Sequence, residues 1–246
     1  MHYSKLIFSS LYRNFLSEAI LKMLDHHKKQ FAEHLHSMHF ISSPNPKHQS
    51  ANKNSNNEPL VRAIICAGLY PNIAMIKKVK KIKPKEFESR HELKFTVILQ
   101  TQSERHVELH PKSTNSKING QFKYQWMAYH TKMKSTKVNL YDSSMVSPLS
   151  LVFFGQNLIH GVENVNGIDI DFIQIDELAK FNCDNNTYKV VKKLKEALNQ
   201  FLAYKAANPG CTDWSQKTRE GALLTAIVKL LTTEVKVISA EPIENE

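Results

Sequence analysis

Between residues 106 and 155 the sequence interleaves cations with flat rings: Lys112, Lys117, Lys123, Lys132, Lys134 and Lys137 fall close to Tyr124, Trp126, Tyr129 and His130. A single nucleic-acid strand is held by basic side chains that follow its phosphates and by rings on which its bases stack, each stack worth roughly 1–3 kcal/mol. The run His110-Pro111-Lys112-Ser113-Thr114-Asn115 adds a second kind of chemistry. Pro111 fixes the backbone, Lys112 seeks phosphate, and Ser113 and Asn115 are short donors that reach either backbone or base edges. The same two side chains also suit closure of a turn onto its own backbone, so both readings stand.

Strand parity sorts the rings. Tyr124, Trp126 and Ala128 point one way from a strand and Gln125, Met127 and Tyr129 the other, so one aromatic set is core. We read Trp126 as packing. His130 and Lys132 share the parity of Tyr124 and Trp126 and become contact residues where the strand edge opens to solvent. The candidate nucleic-acid-binding set is therefore His110, Lys112, Ser113, Asn115, Tyr124, His130, Lys132, Lys134 and Lys137.

No other chemistry is supported. Asp142-Ser143-Ser144 lacks the glycine elbow of a nucleophilic serine. Asp169 and Asp171 share one strand face and read as a solvated pair. The helix histidines His26, His27, His34, His36 and His39 have neither a His-Glu-x-x-His spacing nor a nearby cysteine, so no metal or cofactor is expected. Cys66, Cys183 and Cys211 are few and far apart, which argues against a disulfide framework and for a reducing compartment. Cys66 reads as a small buried hydrophobe. The formal charge of +10 calls for an anionic partner: nucleic acid, an acidic protein or an anionic surface. No apolar run approaches the length of about 18 residues that a membrane span needs, and the expected setting is intracellular, in cytoplasm or nucleus.

Alternation and turn residues place these groups on an α+β scaffold, an OB-fold-like five-stranded β-barrel with flanking N- and C-terminal helices. Ser17 caps a helix over 18–38 whose apolar face carries Ile20, Leu24, Phe31 and Leu35. Residues 42–58 form a polar linker, and Pro59 opens a short apolar helix ended by Gly68 and Pro71. Strands follow from Asn72, over 93–100, 106–110, 124–132 and 137–141, then Ser147-Pro148 starts a short helix. The crowded lysines from Lys77 to Lys85 read as a solvated face that adds non-specific charge. A hairpin over 157–175 turns at Asn166-Gly167. A helix over 187–206 faces inward with Val190, Leu194, Ala197, Leu198, Phe201 and Leu202 and outward with Lys189, Lys192, Lys193 and Lys195. A final helix spans 219–233, and an acidic tail follows. The expected division is a helical segment to 41, the linker, a barrel domain over 59–180, a helical extension over 181–235 and the tail.

Several short signatures occur in order: Ile65-Cys66-Ala67-Gly68-Leu69-Tyr70-Pro71, the His110–Asn115 run, Tyr129-His130-Thr131-Lys132, Tyr141-Asp142, Val146-Ser147-Pro148 and Phe153-Phe154-Gly155. Together they resemble the OB-fold region near the C-terminus of DEAH-box RNA helicases, from about residue 14 to 234, and most closely the branch that resolves G-quadruplexes. In that family the OB-fold loops line the exit path of the bound strand. The resemblance implies binding of single-stranded or G-quadruplex RNA or DNA alongside helicase motor domains. A motor needs a Gly-x-x-x-x-Gly-Lys-Ser/Thr loop and an acidic box for Mg²⁺, and none of the seven glycines sits in such a pattern. The expectation is a helicase module without ATPase activity of its own, equivalent to a truncated fragment. A protein-interaction module that docks on motor domains or an acidic partner is the alternative.

Overall fold

The computed structural model describes residues 11, 13, 14, 16–82, 94–118 and 122–233. The N-terminal apolar patch, Lys83, Lys85, the first hairpin connection and the acidic tail lie outside the described residues, as do the side chains of residues 80–82, 94 and 95. The chain divides into two compact units, residues up to 56 with 200–222, and 57–199 with those from 223.

In the larger unit, five strands close into a barrel in the order β1-β2-β3-β5-β4. They are β1 (Ile73–Ile82), β2 (Lys94–Thr101), β3 (Val107–Leu109), β4 (Trp126–Lys134) and β5 (Val138–Val146). Ala74, Ile76, Val97, Leu99, Val107, Leu109, Met127, Tyr129 and Leu140 fill its interior. On β2 the period-two pattern behaves as expected, with Val97 and Leu99 turned in. On β1 the register shifts between Ile76 and Lys78, a bulge that lets both Ile76 and Val79 face the core.

The barrel's other face is covered too. Helix α1 (Glu18–Ser37) belongs to the smaller unit, whereas α2 (Glu58–Leu69) packs on the barrel, its first turn capped by Asn57, whose Oδ1 accepts from Leu60 N. The cap and Pro59 at the first turn explain why the helix starts there. Cys66 is wholly buried under α2 with Trp126, Ala128, Ile73 and Val146 of the barrel. The sequence reading left one face of β4 for solvent. Both are buried from Trp126 to Tyr129, because α2 and a second sheet cover the outside while the barrel core takes the inside.

That second sheet contains β6 (Leu158–Val165), β7 (Ile168–Ile175) and β8 (Ala179–Asn182) in sequence order. Asn166 and Gly167 both adopt positive φ, 54° and 84°, which makes the tight hairpin turn expected there. Strand β8 was not foreseen. The reason is a second such turn, in which Asp176 and Glu177 carry φ of 48° and 58° without a glycine to mark them. Ile173 and Ile175 are buried against the barrel, whereas Ile168, on the opposite face, is 67% exposed.

Helix α3 (Pro148–Phe154) is capped by Ser147, whose Oγ accepts from Ser150 N, and buries Ser150, Leu151, Val152 and Phe153. Gly155 ends it where a Cβ would come within 2.4 Å of Ile175 Cγ2, so only glycine admits that approach. Helix α4 (Asn185–Ala207) and helix α5 (Arg219–Thr232) follow, and Leu198, Ile227 and Leu231 pack with Ala63 and Phe153. Two expectations for α4 are corrected. Val190 and Leu202 are exposed, and Lys195 is buried, because its ammonium donates to the carbonyls of Val152, Phe153 and Gly155. A helix end leaves such carbonyls unpaired, and a lysine sealed over them is the partner they lack.

In the smaller unit, α1 keeps Ile20, Leu24, Phe31 and Leu35 exposed, the last at 41% and Phe31 at 68%. The polar stretch after it forms bonded turns: Asn52 Nδ2 donates to Pro46 O at 2.8 Å and to His48 O at 2.9 Å. No helix among the described residues is long and apolar enough to cross a membrane.

Candidate nucleic-acid interface

The His110–Asn115 run leaves β3 as a turn and continues into a 3₁₀ turn over Thr114–Lys117. Its bonds show how it is held. Asn115 Nδ2 donates to Ser143 O at 2.7 Å and contacts Ser143 Oγ at 3.0 Å, tying the turn to β5. Ser116 Oγ donates to the carbonyls of Pro111 and Ser113. The His110 ring stacks on Tyr141 with centroids 4.2 Å apart, and its Nδ1 accepts from Lys112 N. Asn115 therefore spends its amide donors on the fold. Lys112 is left exposed at the rim, with no ion pair among the described residues.

This turn, the start of α2 and the middle of β5 enclose a cavity of about 620 Å³ lined by Glu58, Arg62, Lys112–Asn115 and Asp142–Met145. Arg62 bridges Glu58 at 2.5 Å and reaches Met145 O at 3.5 Å. The Arg62 guanidinium holds the Glu58 carboxyl below its usual range. Asp142 sits in the left-handed region at φ 51°. On either side of it the inward positions of β5 change parity, with Met145 half-buried against the barrel core and Leu140 and Val138 packed into it.

A second cavity of about 550 Å³ lies between the β2–β3 turn and β4, lined by Pro71, Asn72, Thr101–Ser103 and Tyr129–Lys132. Here Lys132 Nζ meets Glu104 Oε2 at 2.5 Å and Ser103 Oγ at 2.8 Å, while Thr101 Oγ1 donates to the same Glu104 oxygen at 3.0 Å. These bonds, Lys132 foremost, hold the Glu104 carboxyl low. His130 is exposed and its Nδ1 lies 2.9 Å from Thr131 Oγ1.

The expected set divides accordingly. Lys112, Ser113 and Asn115 come together on one cavity, with His110 behind them stacked on Tyr141, and His130 and Lys132 line the other. Lys134 is exposed at the end of β4. Tyr124 is corrected: it is 6% exposed, so its ring is packing and offers no face to a base. Lys132 and Lys137 are not free cations, since Glu104 and Glu108 pair with them. Sequence reasoning missed Arg62 and Glu58 on the first cavity, did not count Asp142 as a site residue there, and missed Glu104 as the partner of Lys132 beside the second. The i,i+4 spacing of Glu58 and Arg62 at a helix start was the signal available for the first two.

Among the described residues no group of three or more His, Cys, Asp or Glu could hold a metal ion.

A family described as the oligonucleotide/oligosaccharide-binding (OB)-fold matches residues 61–159, and one described as the C-terminal domain in RNA helicases matches residues 172–233. The human ATP-dependent DNA/RNA helicase DHX36 is 39% identical over 228 residues, 90% of this chain and 21% of that protein. The chain carries the C-terminal OB-fold region of DEAH-box helicases. Among other members of this helicase family, the Arabidopsis thaliana DExH-box ATP-dependent RNA helicase DExH1 is 27% identical over 91% of the chain and 20% of its own length. The mouse putative ATP-dependent RNA helicase DHX57 is 28% identical over 90% of the chain and 17% of its own length. The chain thus spans about a fifth of the helicases it matches. Both matched segments fit the geometry: the first covers α2, the closed barrel and α3, and the second covers the end of β7 through α5.

Proposed function

We propose that this OB-fold region binds single-stranded or G-quadruplex RNA or DNA, working beside helicase motor domains and hydrolysing no ATP itself. The observation that carries the reading is the cavity beside the His110–Asn115 turn, with Lys112 unpaired at its rim. In this reading Lys112 takes a phosphate, His130 and Lys134 extend the contact along the outer half of β4, and the Asn115–Ser143 bonds keep the turn in place. Ser113 supplies a backbone or hydroxyl contact. His110 supports the site through its stack on Tyr141, and the paired Lys132 and Lys137 contribute mainly through long-range charge. The domain limits given above, with the barrel over 59–180, belong to the same proposal, as does an intracellular location.

The test is fluorescence anisotropy with poly-pyrimidine, G-rich and quadruplex-forming oligonucleotides at two salt concentrations. Micromolar binding that weakens steeply with salt supports it, because neutralised phosphates release counterions. Absence of binding at low salt overturns it, and ATP turnover by the purified chain overturns the inactive-module part.

The exposed apolar residues of α1, Ile20, Leu24, Phe31 and Leu35, favour a second role as a protein-docking element for motor domains. Their substitution by Ser or Gln would weaken that docking and leave oligonucleotide affinity unchanged.

A further inference from the structure

The cavity beside the turn contains a group that phosphate binding does not explain. Phosphate is held by cations and neutral donors, yet Asp142 lines this cavity as an exposed carboxylate. Three other carboxylates of this unit each have a cation: Glu58 at the start of α2 has Arg62, and Glu104 and Glu108 of the barrel have Lys132 and Lys137. Asp142 has neither ion pair nor side-chain hydrogen bond among the described residues. A bare negative charge beside Lys112 lowers affinity for phosphate unless it meets something else in the bound strand.

Resting on the nucleic-acid reading above, we propose that Asp142 reads a base edge and selects an unpaired guanine. The Watson–Crick edge of an unstacked base is open to side chains in single strands. Guanine alone presents two adjacent donors there, N1–H and the N2 amino group, which match the two oxygens of a carboxylate. Adenine and cytosine place an acceptor ring nitrogen next to their amino group, and that nitrogen repels a carboxylate. Uracil and thymine offer one donor between two carbonyl oxygens. The hydroxyls of Thr114 and Ser144 share the cavity wall and supply donors for the guanine O6. Lys112 takes the adjoining phosphate, so cation and anion each have their own partner. A guanine inside a quadruplex has already given both donors to its neighbour, so the site takes guanine outside such a structure.

The test uses the whole chain with ten-nucleotide single strands in which uridine alternates with guanosine, inosine, adenosine or cytidine, and with oligo-uridine, all in lithium chloride to suppress quadruplexes. The expected order is guanosine about tenfold tighter than adenosine or cytidine, consistent with the discrimination of a bidentate base contact, with inosine, which lacks the N2 amino group, in between. Asp142→Asn, an amide that tolerates the left-handed backbone, removes the guanosine preference and leaves oligo-uridine affinity unchanged or raised. Circular dichroism verifies that this variant is folded. Equal wild-type affinity for every strand, or a preference that survives Asp142→Asn, overturns the assignment while leaving nucleic-acid binding intact. Failure of the wild type to bind any strand, oligo-uridine included, overturns both.

Discussion

Lys195 is the residue on which the helical cap of the barrel turns. Its three bonds satisfy the carbonyls of Val152, Phe153 and Gly155 around the end of α3, and burial pushes its pKa below the usual lysine value. Lys195→Met leaves those carbonyls unpaired and should lower stability by about 2 kcal/mol in urea unfolding. Because the folded pKa lies below the unfolded one, the unfolded chain binds this proton more tightly, and stability gains as pH rises towards 10.5. Comparing wild type with Lys195→Met at pH 8 and 10 isolates that gain, which the variant loses. Cys66 shows the opposite sign. Burial pushes its thiol from 9.0 up to about 12, so its contribution is complete below pH 9 and declines as pH rises towards 12. At pH 8 a thiol reagent should label exposed Cys211 in the native protein and reach Cys66 only after unfolding. The burial of Cys66 was legible in its apolar helix. That of Lys195 was not, because a lysine among lysines on a helix carries no local mark of the distant carbonyls it serves.

At the level of elements, β4 decides where a nucleic-acid strand can lie. Its first four residues are buried on both faces, and exposure begins at His130. Sequence alternation located all five barrel strands but assumed a solvent face, since one strand read alone cannot report the helix and second sheet laid over its outside. The β2–β3 turn is strapped to the open half of β4 by Glu104, which accepts from Thr101, Ser103 and Lys132. Glu104→Gln should release the Lys132 charge, raise oligonucleotide affinity several-fold and steepen the salt dependence by about one unit of log–log slope, measured by anisotropy. Asn115→Ala should loosen the turn from β5 and cost about 1 kcal/mol of stability in thermal melts.

For the whole molecule, the charge of +10 gives the sign of the partner, and the fold decides which cations can act on it. Lys112→Ala should lower affinity about equally for all strand sequences and reduce the salt slope by about one unit, a result anisotropy at four salt concentrations would reveal. The signatures that mark the helicase family were readable because several are structural necessities: Gly155 for its close approach to Ile175, Ser147-Pro148 for the start of α3, Asn115 for its hold on β5. Asp142 was in view as part of the Tyr141-Asp142 pair, but its lack of an ion pair among the described residues is a property of the assembled barrel.

Strand β6 forms one side of the second sheet, with no strand bonded to its outer flank among the described residues. Ile159, Val162 and Val165 stand 55%, 58% and 42% exposed along its eight residues, relieved by the Glu163–Lys180 pair. Unpaired backbone and bare aliphatic groups in one extended segment are a template on which a second copy can add a strand. Concentrated preparations of this protein should accordingly self-associate through that flank, and a lysine at position 162 should keep them monodisperse.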